Sequence, residues 1–103
     1  MYYLPCYDSR KQFYGKAKIY EKDNAVYLCS YETIVCAIVN GGTFLRLWPG
    51  YSATTMRHIN SFLHHFRMPG GGKAWWDAQP LQAVIIVNES DLLLYEALRR
   101  VTA

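Results

Sequence analysis

The stretch YSATTMRHINSFLHHF, Tyr51 to Phe66, places three histidines and Arg57 on one short segment, and Arg67 follows directly. Imidazole and guanidinium groups can ligate a metal, move a proton, or hold a carboxylate or phosphate. On a helical wheel Met56, Ile59, Phe62, Leu63 and Phe66 form one apolar stripe. Arg57, Asn60, Ser61 and His64 fall opposite that stripe, and His58 and His65 share one of its edges. Those two histidines are seven residues apart, about 10 Å along a helix. A helical two-histidine metal site uses a spacing of three or four, so this segment carries none. Three readings stay open. One is a solvated face, with His64, His65 and Arg67 set against the negative end of the helix dipole. The other is a docking face for an acidic or phosphate-bearing partner, contacted by Arg57, His64 and Arg67. A catalytic histidine is the third.

Cys29 and Cys36 offer different chemistry. A tight turn between them places the two nearly opposite on one sheet face, with β-carbons about 5 Å apart. Two thiolates so placed can share a zinc ion, with Cys6 or a histidine completing a tetrahedron. The alternative is two small, buried, inert thiols. The segment MPGGGKAWW does not make a phosphate-binding loop, because Ala74 follows Lys73 where Ser or Thr is needed, and it follows a helix rather than a strand. Trp75 and Trp76 either dock on the open face of a sheet or anchor a partner. No nucleophile elbow or poised carboxylate pair is present, and the expectation is a protein that is not an enzyme.

The elements that must position these residues begin with strands. FYGKAKIYE, Phe13 to Glu21, alternates Phe13, Gly15, Ala17 and Ile19 with Tyr14, Lys16, Lys18 and Tyr20. Lys22 to Asn24 is a turn, AVYLCS a second strand, TIVCAIV (Thr33 to Val39) a third and TFLRLW (Thr43 to Trp48) a fourth. Between the last two, Asn40 to Gly42 is a hairpin signal, since Asn and Gly tolerate positive φ. Ser52 or Thr54 caps a helix over about 53–67. Met68-Pro69 and three glycines stop it, and GGGKAWWDAQP reads as a loop. Leu81 to Val87 is a buried strand, and a final helix runs over about 90–101, capped by Asn88 or Ser90. The expected fold is α+β: an antiparallel meander of about four strands plus one later strand, packed with two helices, in a single domain over 1–103. The second and third strands are apolar on both faces, so the C-terminal segments or a partner must cover the second face.

Composition bounds the rest. The chain has 103 residues, 51% of them hydrophobic, enough for one core and too apolar for a disordered chain. Net charge is +3, but no Asp or Glu lies between Glu32 and Asp77, where Arg46, Arg57, Arg67 and Lys73 give +4. An acidic surface or a phosphate backbone is attracted to such a stretch. The N-terminus lacks the features of a signal peptide, and no apolar run reaches membrane-spanning length. Three cysteines without a secretory context fit reduced thiols in the cytoplasm.

QFYGKAKIYE, LCSYETIV and YSATTMRHINSFL together resemble a family of small uncharacterised proteins from phages and mobile elements of Gram-positive bacteria. The resemblance covers residues 12 to 66 and departs at Gln12, where the pattern often has Ser. It carries no catalytic role. It implies a protein similar to anti-CRISPR inhibitors, one that binds a host CRISPR effector, above all the type II RNA-guided DNA nuclease, in the bacterial cytosol. The contact residues expected are Arg57, His64 and Arg67, Lys16, Lys18 and Tyr20, with Trp75 and Trp76. A second expectation is a small nucleic-acid-binding protein that uses the same lysines and tyrosines. A third is an assembly protein whose doubly apolar sheet forms a homodimer.

Overall fold

The computed structural model describes residues 1–8 and 12–82. Five strands form one antiparallel sheet in sequence order: β1 (Tyr2–Tyr3), β2 (Ala17–Lys22), β3 (Ala25–Ser30), β4 (Thr33–Val39) and β5 (Thr43–Arg46). Two helices follow, α1 (Ala53–His65) and α2 (Lys73–Ala78). The fold is α+β, and its sheet is the expected meander.

The turns explain the strand order. Lys22 pairs with Ala25 and Ser30 with Thr33, so β2–β3 and β3–β4 are closed by two-residue turns. Asn40 and Gly41 have φ of 52° and 78°, the left-handed pair that matches the twist of a tight hairpin. β2 starts at Ala17 and not at Phe13. Residues Phe13 to Lys16 instead fold into a turn, with Lys16 N donating to Phe13 O at 2.9 Å and positive φ at Tyr14 and Gly15. β1 is two residues long, below what alternation can signal.

Helix α1 starts at Ser52, whose hydroxyl accepts from Thr55 N. It ends at His65, two residues short of the expected bound at 67. Arg67 adopts φ 56°, Met68 N donates to Leu63 O at 2.8 Å and Arg67 N to His64 O at 3.1 Å. That is a Schellman closure with arginine in the position glycine usually takes. The segment expected as a loop holds α2. Gly70 makes room for it: a Cβ there would stand 2.4 Å from the Trp75 ring, at a φ of 118°.

One sheet face carries both helices. Ile19, Leu28, Cys36, Met56, Ile59, Phe62, Leu63 and Trp76 are buried together there. The other face buries Tyr20, Cys29, Ile34, Ala37 and Leu47. The later strand expected from Leu81 has its first contact described: Leu81 bridges Arg46 of β5 in parallel, and Gln82 N donates to Arg46 O at 2.9 Å. The remainder of that strand and the helix expected over 90–101 lie outside the described residues. Among the described residues, no helix is long and apolar enough to cross a membrane.

Candidate functional site

The polar face of α1 is occupied by the chain's own N-terminus. After β1, Leu4 is buried and the segment through Asp8 runs across the helix. The Asp8 carboxylate accepts two hydrogen bonds from Arg57, at 2.9 and 3.0 Å. Tyr7 N donates to Ser61 Oγ at 3.2 Å. The Tyr7 hydroxyl meets His65 Nδ1 at 2.6 Å, and the Tyr2 hydroxyl meets His65 Nε2 at 3.3 Å. A neutral imidazole satisfies both, donating from one nitrogen and accepting at the other. The Tyr7 ring also packs on His64, centroids 4.5 Å apart. Asn60 Oδ1 accepts from Gly72 N. Among the described residues, exposed Arg67 makes none of these contacts. Arg57 is half-buried in its ion pair with Asp8, His64 is exposed beside the Tyr7 ring, and Ser61 is buried rather than solvated.

His58 is buried, at 1% exposure. Its Nδ1 lies 2.7 Å from Ser30 Oγ, which also meets Thr55 Oγ1 at 3.0 Å, and the Phe13 ring packs edge-on 4.5 Å away. Burial, then the nearby Arg57 charge, lowers its pKa to about 4. A serine–histidine contact sealed on all sides joins β3 to α1 and gives no access to a substrate. Sequence spacing could not reveal it, because Ser30 and His58 meet only once the helix lies on the sheet.

Cys29 and Cys36 do not share a site. The register shifts between Leu28 and Cys29, so that Leu28 faces Cys36 while Cys29 faces Ile34. The bulge puts Cys36 in the helix-side core and Cys29 in the core of the other face. Burial pushes the Cys36 thiol well above its usual pKa, which disfavours the thiolate zinc requires. Cys6 sits elsewhere, with Sγ 3.2 Å from Asp8 Oδ1 and 3.5 Å from Arg57. Among the described residues no group of three or more His, Cys, Asp or Glu could hold a metal ion. The zinc expectation for Cys29, Cys36 and Cys6 therefore fails on geometry.

The tryptophans dock on the helix-bearing face, not on the second face. Trp76 is fully buried and donates from Nε1 to Gly50 O at 2.8 Å. Trp75 is half-buried and packs on Phe44, centroids 4.8 Å apart. Arg46 fastens them. Its guanidinium lies 4.6 Å from the Trp76 ring centroid and donates to the carbonyls of Trp48, Pro49, Trp76 and Gln79. Tyr20 is also buried, at 5% exposure, within the second-face core. Trp76 and Tyr20 are thus packing residues rather than partner contacts.

One group of exposed tyrosine and lysine residues gathers at the end of the sheet where the Phe13–Lys16 turn meets the β3–β4 turn. Tyr31 N donates to Lys16 O at 2.7 Å and holds the two turns side by side. Tyr14 is 74% exposed and Tyr31 48%. Both have left-handed backbones, with φ of 53° and 58°. A bulky residue there is an outlier that costs on the order of 1 kcal/mol. Lys16, Lys18, Tyr31, Glu32 and Thr33 line a groove of about 460 Å³ beside them. Lys16 is exposed, Lys18 half-buried, and Tyr3 of β1, opposite Lys18, is exposed as well. Of the expected contacts this edge keeps Lys16 and Lys18 and adds Tyr14 and Tyr31. The signals for the additions were local: a Tyr-Gly pair interrupting an alternating strand, and an aromatic residue in a two-residue turn.

No curated protein and no solved structure matches the chain. A family model described as a family of unknown function (DUF8033) matches residues 1–78, a span that takes in every strand and helix described above. The chain therefore belongs to that family.

Proposed function

We propose that this chain is a non-enzymatic binding protein of a phage or mobile element, and that it attaches to a host CRISPR effector, the type II RNA-guided DNA nuclease, in the bacterial cytosol and blocks it. The observation that carries the binding reading is the strained pair Tyr14 and Tyr31. Both have left-handed backbones near Lys16 and Lys18, and Tyr14 is 74% exposed. The Tyr14 ring gives the fold little packing, while the half-exposed Tyr31 ring also lies against His58, centroids 5.8 Å apart. Strain retained without a packing return is characteristic of functional positions, and tyrosine is among the residues that dominate interface hot spots. The partner is supported by the resemblance of QFYGKAKIYE, LCSYETIV and YSATTMRHINSFL to small phage and mobile-element proteins.

The test adds purified protein to guide-loaded nuclease and follows cleavage of a matched DNA target. Loss of cleavage at near-stoichiometric protein is the expected result. Full cleavage, even with protein added before the guide, overturns the nuclease reading for the enzyme assayed. The second reading, direct nucleic-acid binding, draws on the same lysines between tyrosine rings, which can hold phosphates and stack bases. Titration of labelled DNA and RNA across a salt range separates the two, because binding to phosphates weakens steeply as salt rises. Light scattering on the same sample reads out a homodimer.

A further inference from the structure

We infer that buried His58 is the positioning residue of the tyrosine–lysine edge, and that it holds the two turns of that edge together from inside the core. The turns come from separate parts of the chain, Phe13–Lys16 ahead of β2 and Tyr31–Glu32 between β3 and β4. At the surface a hydrogen bond joins them, Tyr31 N to Lys16 O at 2.7 Å. Beneath it, the residue at the root of each turn is buried, Phe13 in one and Ser30 in the other. Both roots touch the same side chain. His58 Nδ1 lies 2.7 Å from Ser30 Oγ, and the Phe13 ring meets the imidazole edge-on with centroids 4.5 Å apart. The Tyr31 ring lies against it as well.

Left-handed backbones such as those of Tyr14 and Tyr31 persist only where the surroundings fix them. Lys16 N donates to Phe13 O, so the place of Phe13 sets the turn that carries Tyr14. Ser30 directly precedes Tyr31 and pairs with Thr33 across the second turn. A side chain from α1 that contacts Phe13 and Ser30 together therefore fixes the distance between the two turns, which neither turn does by its own hydrogen bonds. The contact is itself held. Ser30 Oγ also meets Thr55 Oγ1, which lies on the same helix face as His58. Arg57, paired with Asp8, stands 5.2 Å from the centroid of the Phe13 ring. Histidine suits the place because one flat ring supplies a polar atom for Ser30 and an aromatic partner for Phe13. The positioning role rests on the reading of this edge as the binding surface. It is measured on the free chain, so the nuclease assay can fail without deciding it.

The experiment is native-state amide hydrogen exchange, read by NMR on the full chain, for the parent and the variants His58→Leu, His58→Asn and Leu63→Ala. The Tyr31 amide reports the bond that joins the turns. His58→Leu should speed its exchange about tenfold, as the loss of roughly one buried hydrogen bond does. Leu63→Ala opens a cavity elsewhere on the same helix, beside Gly71, and should leave the Tyr31 rate unchanged, because a turn at the end of a sheet opens locally. Asparagine carries a hydrogen-bonding atom where Nδ1 stands but no ring for Phe13, so His58→Asn should fall between the parent and His58→Leu. A parent-like Tyr31 rate in folded His58→Leu overturns the proposal. Equal acceleration in Leu63→Ala also overturns it and makes His58 a packing residue only. Where the leucine variant does not fold, a parent-like rate in His58→Asn overturns it instead.

Discussion

The outer face of α1 and the turn pair at the tyrosine–lysine edge carry similar chemistry, cationic groups set among tyrosine rings. On α1 each such group has an internal use. Arg57 holds Asp8, His65 lies between Tyr2 and Tyr7, and His64 packs on Tyr7. At the edge, Tyr14 is largely exposed and Tyr31 about half so, both on left-handed backbones. The difference teaches that residue type marks where binding chemistry exists, while accounting for each group's partners shows where it remains available.

Four measurements would break or sharpen that contrast. The largest effect concerns His58. Folding holds its imidazole neutral, with a pKa near 4 against 6.5 for an ordinary histidine. The unfolded chain therefore takes up the proton first. The stabilisation is complete above the unfolded value and is lost as pH falls toward about 4, amounting to about 3 kcal/mol. Urea unfolding across that window should show the loss, and a His58→Gln variant should show a flatter profile.

Next is the edge. Tyr14→Asn combined with Lys16→Glu should weaken attachment to the partner by about 2 kcal/mol, roughly 30-fold, as at interface hot spots. Asparagine tolerates the left-handed backbone better than tyrosine, so thermal stability should hold or rise slightly. A folded double variant that inhibits the nuclease like the parent would remove the edge from the binding surface.

A smaller effect is expected on the helix. Arg57→Ala breaks a partly exposed ion pair and should lower the melting temperature only slightly. Inhibition should be unchanged, and a selective loss of inhibition would return α1 to the interface. The smallest effect is on metal and thiols. A chelator should leave the melting temperature where it was, and a thiol reagent should modify Cys6 quickly in the native protein while sparing buried Cys29 and Cys36. Rapid reaction at all three would contradict the buried positions.

Much of the fold was legible in the chain because it follows from local rules. Strand β4 runs over Thr33–Val39 as read from its apolar run, and of the two cap candidates Ser52 caps α1. The Phe13–Lys16 turn was hidden inside an alternating pattern, since alternation constrains side-chain parity and not the backbone sign at Tyr14. Helix α2 was hidden behind three glycines, because its support comes from Trp76 docking and the Arg46 clamp, both distant in sequence. Less of the site could be read. Lys16 and Lys18 were accessible to pattern, but the zinc pair depended on a register that one bulge changes.

By itself, then, the sequence determined the meander, its turns and the apolar stripe of α1, because periodicity and turn chemistry act over a few residues. Tertiary structure decided which polar groups are already satisfied. Asp8 reaches Arg57 across 49 positions, and Tyr7 reaches His65 across 58. Such pairings are set by where the packed sheet and helix bring the chain back upon itself, and no spacing rule encodes them.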